Sequence, residues 1–424
     1  MYINVLVALA AWHLLIDWQK SRYTLQEVFS HYKIHVVLGD AMYIGLTQTN
    51  MMRHILSLIM LVCGISAFSQ HAFLFVGTYT KGKSEGIYVY DFNTVTGQAT
   101  PVSIAKGIEN PSYLAISANG RNLYSVIENG RDKPGELCAF SFDPSTGNLT
   151  QLNKKPTGGD DPCYVAIAPD GKFVVTGNYS GGNISVFPIL ADGSLGDQSE
   201  IIQHSGNSVN TQRQEKAHVH STIFSPDGQY VVVPDLGMDK LMIYQYDPKK
   251  KQPLLPARTP FVNTEPGSGP RHFVFHPTLP YAYLIEELSG MVTVYNYSKG
   301  KLTPLQRVNN HPYDFTGRKG SADIHISDDG KFLYASNRGE SNTIAVFSIH
   351  PVDGKLSNLG FESTMGVAPR NFSIDPSGKW LLAANQESDN IIVFSRSEES
   401  GLLNNSGTVI TVPNPVCVKF LPRK

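Results

Sequence analysis

The sequence predicts an all-β fold: a seven-bladed β-propeller closed by pairing of its N- and C-terminal strands. Three observations predict it. One hairpin pattern recurs through most of the chain, its turn glycines stand about 50 residues apart, and the two ends of the recurring region are fragments of a single unit.

The pattern is an apolar alternating strand, a turn with Gly, a second apolar strand and a polar end. It reads Pro111-SYLAISANG-RNLYSVIEN, Pro162-CYVAIAPDG-KFVVTGNY, His218-VHSTIFSPDG-QYVVVPDL, Ala322-DIHISDDG-KFLYASNR and Pro369-RNFSIDPSG-KWLLAANQ. A degenerate copy, Pro270-RHFVFHPTLP-YAYLIEEL, has lost its glycine at Leu279-Pro280. Asp-Gly or Ser-Gly between alternating apolar runs is a hairpin signal. A third strand follows each hairpin, as in Lys240-LMIYQYD or Thr343-IAVFSI. A weaker fourth follows a Gly-x-Leu, as in Gly193-Ser194-Leu195 or Gly354-Lys355-Leu356. Four strands in about 50 residues describe one propeller blade.

The ends set the number of blades. The recurring region begins at Ala72-FLFVGTYT, a second-type strand, and continues to Gly86-IYVYDFN, a third-type strand. It finishes at Asn414-PVCVKF, which matches a first strand. Six complete units and these two halves make seven blades, with the last strand expected to pair with residues 72–78 and leave no open edge.

The 424 residues carry 35 Lys and Arg against 36 Asp and Glu, so no global field favours nucleic acid or an anionic membrane. Residues 51–70 read as a secretory signal peptide: Arg53 and His54, an apolar run from Ile55 to Phe68, and a small-x-small ending. A retained anchor helix is the alternative, but the run is shorter than the roughly 20 apolar residues a spanning helix needs. The expectation is export to the periplasm with no stable membrane insertion after cleavage, or a cytoplasmic protein if the signal is not used. Residues 1–50 are read as a non-native or poorly ordered extension preceding a start at Met51 or Met52. Residues 71–424 form a single propeller domain. Cys138, Cys163 and Cys417 are too few and too scattered for a disulfide scaffold or a metal site.

In a blade, the start of the first strand and the end of the antiparallel second strand share one mouth of the channel. The first-strand starts contribute Asp161, His218, His220, Arg271, His272, Asp323, His325 and Arg370. The second-strand ends contribute Tyr79, Glu128, Asn129, Asn178, Tyr179, Asp235, Glu287, Asn337, Arg338, Asn385 and Gln386. Arginine forks carboxylate or phosphate, and His or Glu moves protons near neutral pH, so this density suits an anionic ligand with a carbonyl. Each residue also has a plainer reading. His218 and His220 alternate and could hold a metal, His276 reads as structural, His325 as channel lining, and Arg370 as a salt-bridge partner. Asp235 reads as a turn former. A polar ring can also do no more than hydrate a channel.

Thr211-QRQEKAHVHSTIFSPDG, Gly267-SGPRHFVFHP, Ile285-EEL, Gly320-SADIHISDDG and Gly366-VAPRNFSIDPSG resemble the lactonase propeller family. That family includes 6-phosphogluconolactonase of the propeller type and the 3-carboxy-cis,cis-muconate lactonizing enzyme. The resemblance implies hydrolysis of a sugar lactone without a metal or organic cofactor, with a small anionic lactone as partner. It places catalytic roles on His220, Arg271, Glu287 and Arg338. His218, His272, Asn337, Asn178, Asp235 and Arg370 are expected to bind substrate. Glu287 is expected to serve as an acid/base with a pKa raised by burial unless the arginines cancel it. Replacing Arg271 by Ala is expected to remove activity and keep the fold. A non-catalytic exported propeller binding a sugar acid or a protein partner is the alternative, and a muconate cycloisomerase a further one.

Overall fold

In the computed structural model, residues 70–130 and 133–423 are described. The readings of residues 1–50 and of all but the last residue of 51–70 lie outside that range. The described residues form seven four-stranded antiparallel sheets. Blade 1 combines the C-terminal strand Pro415–Pro422 with His71–Thr78, Gly86–Asn93 and Ala99–Lys106. Blades 2 to 7 follow in chain order, with innermost strands Leu114–Ile116, Pro162–Ile167, Ile223–Phe224, Pro270–Phe275, Ser321–Ile326 and Pro369–Ile374. The blade count and the closure match the sequence expectation: Phe73 pairs with Leu421, and the ladder runs on to Thr78 opposite Pro415.

The apolar core lies between blades. Each sheet is covered on both faces by its neighbours, so its middle strands are buried on both sides and read as nearly continuous apolar runs. One cluster joins Phe73 and Phe75 of blade 1 to Tyr124 and Phe140 of blade 2 and Val165 of blade 3. Others seal blade 3 to 4, 4 to 5, 5 to 6, 6 to 7 and 7 back to 1. Among the described residues no helix is long and apolar enough to cross a membrane.

The Gly-x-Leu elements do more than start the fourth strand. The glycine carbonyl at that turn accepts a hydrogen bond from a tyrosine of the preceding blade: Tyr124 to Gly193 at 2.9 Å, Tyr283 to Gly354 at 2.8 Å, Tyr334 to Gly401 at 2.7 Å. Gly354 and Gly401 have φ of 67° and 75°, and a Cβ there would meet the ring of Tyr281 or Phe332 at 2.4 or 2.3 Å. Both the backbone conformation and the close approach require glycine. In the degenerate hairpin His276 stands where other blades have Ser225 or Ser327, three residues before the missing Gly, and its ring ties the turn together. Its Nδ1 accepts the amides of Thr278 and Leu279, and its Nε2 donates to the Gly330 carbonyl.

Removing residues 413–424 strips blade 1 of its innermost strand, exposing the His71–Thr78 edge and the apolar side chains packed on Val416 and Val418. The truncated protein is expected to aggregate and to show no cooperative melt by circular dichroism. A soluble protein with an unchanged melting temperature would contradict the closure.

Candidate active site

One backbone hydrogen bond recurs in every blade and fixes what faces the channel mouth. The residue just after the second strand donates its amide to the carbonyl just before the first. The donors are Tyr79, Glu128, Tyr179, Leu236, Glu287, Arg338 and Gln386. The acceptors are Asn414, Asn110, Asp161, His218, Gly269, Gly320 and Ala368. Side chains alternate along a strand, so the residue before each donor points the other way. Asn178 is one of these, and its amide donates to Asn183 and Ser185 on the third strand. Asn337 is held by Asn310 and Ser321. Asp235 accepts the amides of His218 and Met238 and pairs with His204 at 2.7 Å. All three are fully buried. The expectation that Asn178, Asn337 and Asp235 bind substrate is therefore corrected: one register step turns them into their own blades.

The first strand supplies a second ring, two residues after each acceptor carbonyl. In blades 3, 5, 7 and 1 that residue is the extra one of a β-bulge. The ladder passes from Pro162 to Tyr164, from Pro270 to His272, from Pro369 to Asn371 and from Thr78/Pro415 to Gly77/Cys417. Cys163, Arg271, Arg370 and Val416 are the unpaired residues. A bulge re-aims a side chain out of the alternating pattern. Here two of the four are arginines, and each follows a proline.

The structure brings His220, Arg271, Glu287 and Arg338 together at this one mouth. Arg271 Nε and an Arg338 terminal nitrogen each lie 3.0 Å from Glu287 Oε2, and His220 Nε2 is 3.8 Å from the same oxygen. A third guanidinium, Arg213, donates to Oε1 at 2.7 Å and to the Tyr179 hydroxyl at 3.0 Å. Arg213 sits in the loop between blades 3 and 4, where no strand periodicity marks it. Its quoted segment Thr211-QRQEKAHVH was the available signal. Glu128 occupies the ring position equivalent to Glu287. It accepts from Tyr79 at 2.8 Å and from the Ser112 hydroxyl.

Two further expectations are corrected. His218 does not face a substrate, because it stacks on Tyr179 at 4.5 Å and both its ring nitrogens are occupied, by the Tyr179 carbonyl and Glu215. His272 lies beneath Arg271. Its Nδ1 is 2.7 Å from Asp323, and its Nε2 is 3.3 Å from an Arg271 nitrogen. Because arginine can only donate, His272 Nε2 accepts and Nδ1 carries the proton. Asp323 also holds His325 at 2.9 Å and the Asn371 amide. This buried chain sets the height and angle of Arg271.

The charges are poised unequally. Burial alone would raise the Glu287 pKa, but Arg338 and Arg271, then His220 and Arg213, outweigh it and hold the carboxyl well below the usual range. The exception the sequence reading allowed, cancellation by the arginines, is what the site shows. Burial first and Arg271 next keep His220 neutral, far below its ordinary value. Burial, with repulsion from Arg271 and Arg370 against the pull of Glu287, brings Arg338 down to about 10. Glu128 moves the opposite way: burial raises it against the pull of Arg370, Ser112 and Tyr79.

The fold and this mouth define a seven-bladed β-propeller with a guanidinium-rich site at one end of its channel. The family described as lactonase, 7-bladed β-propeller, matches residues 73–420, and the chain belongs to that family. It is 40% identical over 349 residues to the 6-phosphogluconolactonase of Bacillus subtilis, covering 82% of this chain and 97% of the relative. It is 41% identical over 332 residues to that of Formosa agariphila, covering 78% and 94%. The structure of the periplasmic gluconolactonase of Pseudomonas aeruginosa superposes with a TM-score of 0.79 at 39% identity, covering 83% of this chain and 99% of the other.

The neutral histidines make stability depend on pH. Burial first, then Arg271, push His272 down to about 4 despite Asp323. Unfolded histidine titrates near 6.5. Between these values the unfolded chain binds a proton that the folded protein refuses, so stability falls as pH drops from about 6.5 to about 4. One such residue accounts for on the order of 3 kcal/mol across that window. His220 adds a loss of the same sign, and the depressed carboxyls of Glu287 and Asp323 withdraw theirs only at lower pH. The melting temperature is expected to fall across this window, with a shallower slope in His272→Gln. A flat profile would contradict the neutral assignment.

Proposed function

We propose that this protein is a lactonase that opens a sugar δ-lactone, 6-phosphoglucono-1,5-lactone or a closely related aldonolactone, by attack of water on the lactone carbonyl. The observation that carries the reading is the convergence of His220, Arg271 and Arg338 on Glu287 at one mouth, within 3.0 to 3.8 Å. The 6-phosphogluconolactonase and gluconolactonase relatives support it.

Arg271 and Arg338 would polarise the carbonyl and stabilise the oxyanion that forms there. Neutral His220 accepts a proton from the attacking water. Glu287, ionised beside it, offsets the imidazolium charge as it develops. Collapse of the tetrahedral intermediate breaks the bond to the ring oxygen, which takes the proton back from His220. The product is an open aldonic acid whose carboxyl then releases one proton to solution. Glu287 acts here as a fixed counter-charge, because its depressed pKa leaves it no proton to give near neutrality.

Arg271 is 1% exposed and supports Glu287, so Arg271→Ala would open a void and remove one of the three guanidiniums that hold a buried carboxylate. That change is expected to destabilise the fold, contrary to the sequence expectation. Arg338, partly open to the mouth, is the cleaner probe. Arg338→Gln and His220→Gln are each expected to lower kcat by roughly 10²- to 10³-fold in a pH-stat assay on glucono-δ-lactone and its 6-phosphate. Wild-type turnover in either variant would sink the assignment.

We also propose that residues 51–70 act as an export leader, a reading supported by the periplasmic relative. N-terminal sequencing of protein from a periplasmic fraction is expected to begin near residue 70. Recovery of protein starting upstream of residue 51, in the cytoplasm alone, would overturn it.

A further inference from the structure

The mouth gathers four guanidiniums, and they are not equally occupied. Arg213, Arg271 and Arg338 share Glu287. Arg370 does not reach it. Among the described residues its guanidinium makes no hydrogen bond and no ion pair. It lies across the face of Tyr79, with its central carbon 5.3 Å from the ring centroid. Lys81 approaches the same ring at 5.9 Å from the exposed rim. Tyr79 is anchored in turn, its hydroxyl donating to Glu128, which Ser112 holds from the other side. The bulge at Arg370 aims this side chain inward, as the bulge at Arg271 does two blades away.

Two consequences follow from charge and geometry. Arg370 is the strongest like-charged neighbour of Arg271, so the two guanidiniums, aimed inward by matching bulges, bound a space suited to an anion. A guanidinium stacked on an aromatic face keeps its edge donors free, and that planar fork matches the oxygens of a phosphate or carboxylate. Both oxygens of the nearby Glu128 are taken, one by Tyr79 and one by Ser112, so Glu128 attracts Arg370 without a hydrogen bond to it.

We propose that Arg370, steadied by Tyr79 and assisted by Lys81, is the specificity-determining residue of the site. It takes an ionised phosphomonoester carried a few bonds from the lactone carbonyl, while Arg271 and Arg338 serve the carbonyl. The site therefore selects phosphorylated over neutral aldonolactones. This rests on the lactonase reading above.

The test compares wild type with Arg370→Gln and Arg370→Lys on 6-phosphoglucono-δ-lactone and on glucono-δ-lactone. The quantity read is the ratio of the two kcat/KM values. Wild type is expected to favour the phosphorylated lactone. Arg370→Gln should lower the ratio roughly 10- to 100-fold, the worth of a charge-assisted hydrogen bond, mainly through KM for the phosphorylated substrate. Arg370→Lys should recover part of it. A wild-type ratio near one, or an equal fall on both substrates, would overturn the proposal and leave the lactonase reading standing. If wild type opens neither lactone, the lactonase reading fails. Calorimetry then decides the subsite alone: 6-phosphogluconate should bind more tightly than gluconate in wild type and lose that advantage in Arg370→Gln. Equal binding of the two acids by wild type would overturn the subsite as well.

Discussion

At the channel mouth four guanidiniums crowd into a partly dry space, and three of them meet at the carboxylate of Glu287. Two unit charges about 4 Å apart repel by about 4 kcal/mol at an effective dielectric of about 20, so such a cluster does not hold together unaided. Glu287 supplies the compensating charge. It stays ionised under the arginines, while burial first and Arg271 next keep His220 neutral against the pull of Glu287, so a neutral imidazole and a carboxylate stand 3.8 Å apart.

The propeller sustains this arrangement through repetition with small local departures. The recurring amide-to-carbonyl hydrogen bond sets one residue of every blade at the rim, and the bulges in four blades set another just inside it. The inter-blade latches and the apolar seams lie away from the mouth and carry the packing. The buried His272–Asp323 pair extends support downward from Arg271, giving the central guanidinium a rigid floor.

The fold was legible because each blade repeats the same local signals. Apolar runs mark strands covered on both faces, Asp-Gly and Ser-Gly mark hairpins, and the half-units at Ala72 and Asn414 mark closure. Even the irregular hairpin, which lacks the glycine, is held by His276 accepting the amides of Thr278 and Leu279. The site was legible only in part. His220, Arg271, Glu287 and Arg338 fell on the expected mouth because topology alone carries them there. Asn178, Asn337 and Asp235 were misassigned because strand ends were read without their parity, which the recurring backbone hydrogen bond settles. Arg213 sits on a loop with no period to betray it. The depressed pKa of Glu287 depends on the summed field of side chains from blades 4, 5 and 6 and that loop, a quantity no single motif holds.

The most direct measurement of this account is the titration of Glu287 itself, followed by carboxyl ¹³C NMR on glutamate-labelled protein and assigned with Glu287→Gln. The account predicts a carboxylate that remains ionised from neutral pH down through the ordinary glutamate value near 4.3. Protonation at or above that ordinary value would show that the guanidiniums do not govern the site.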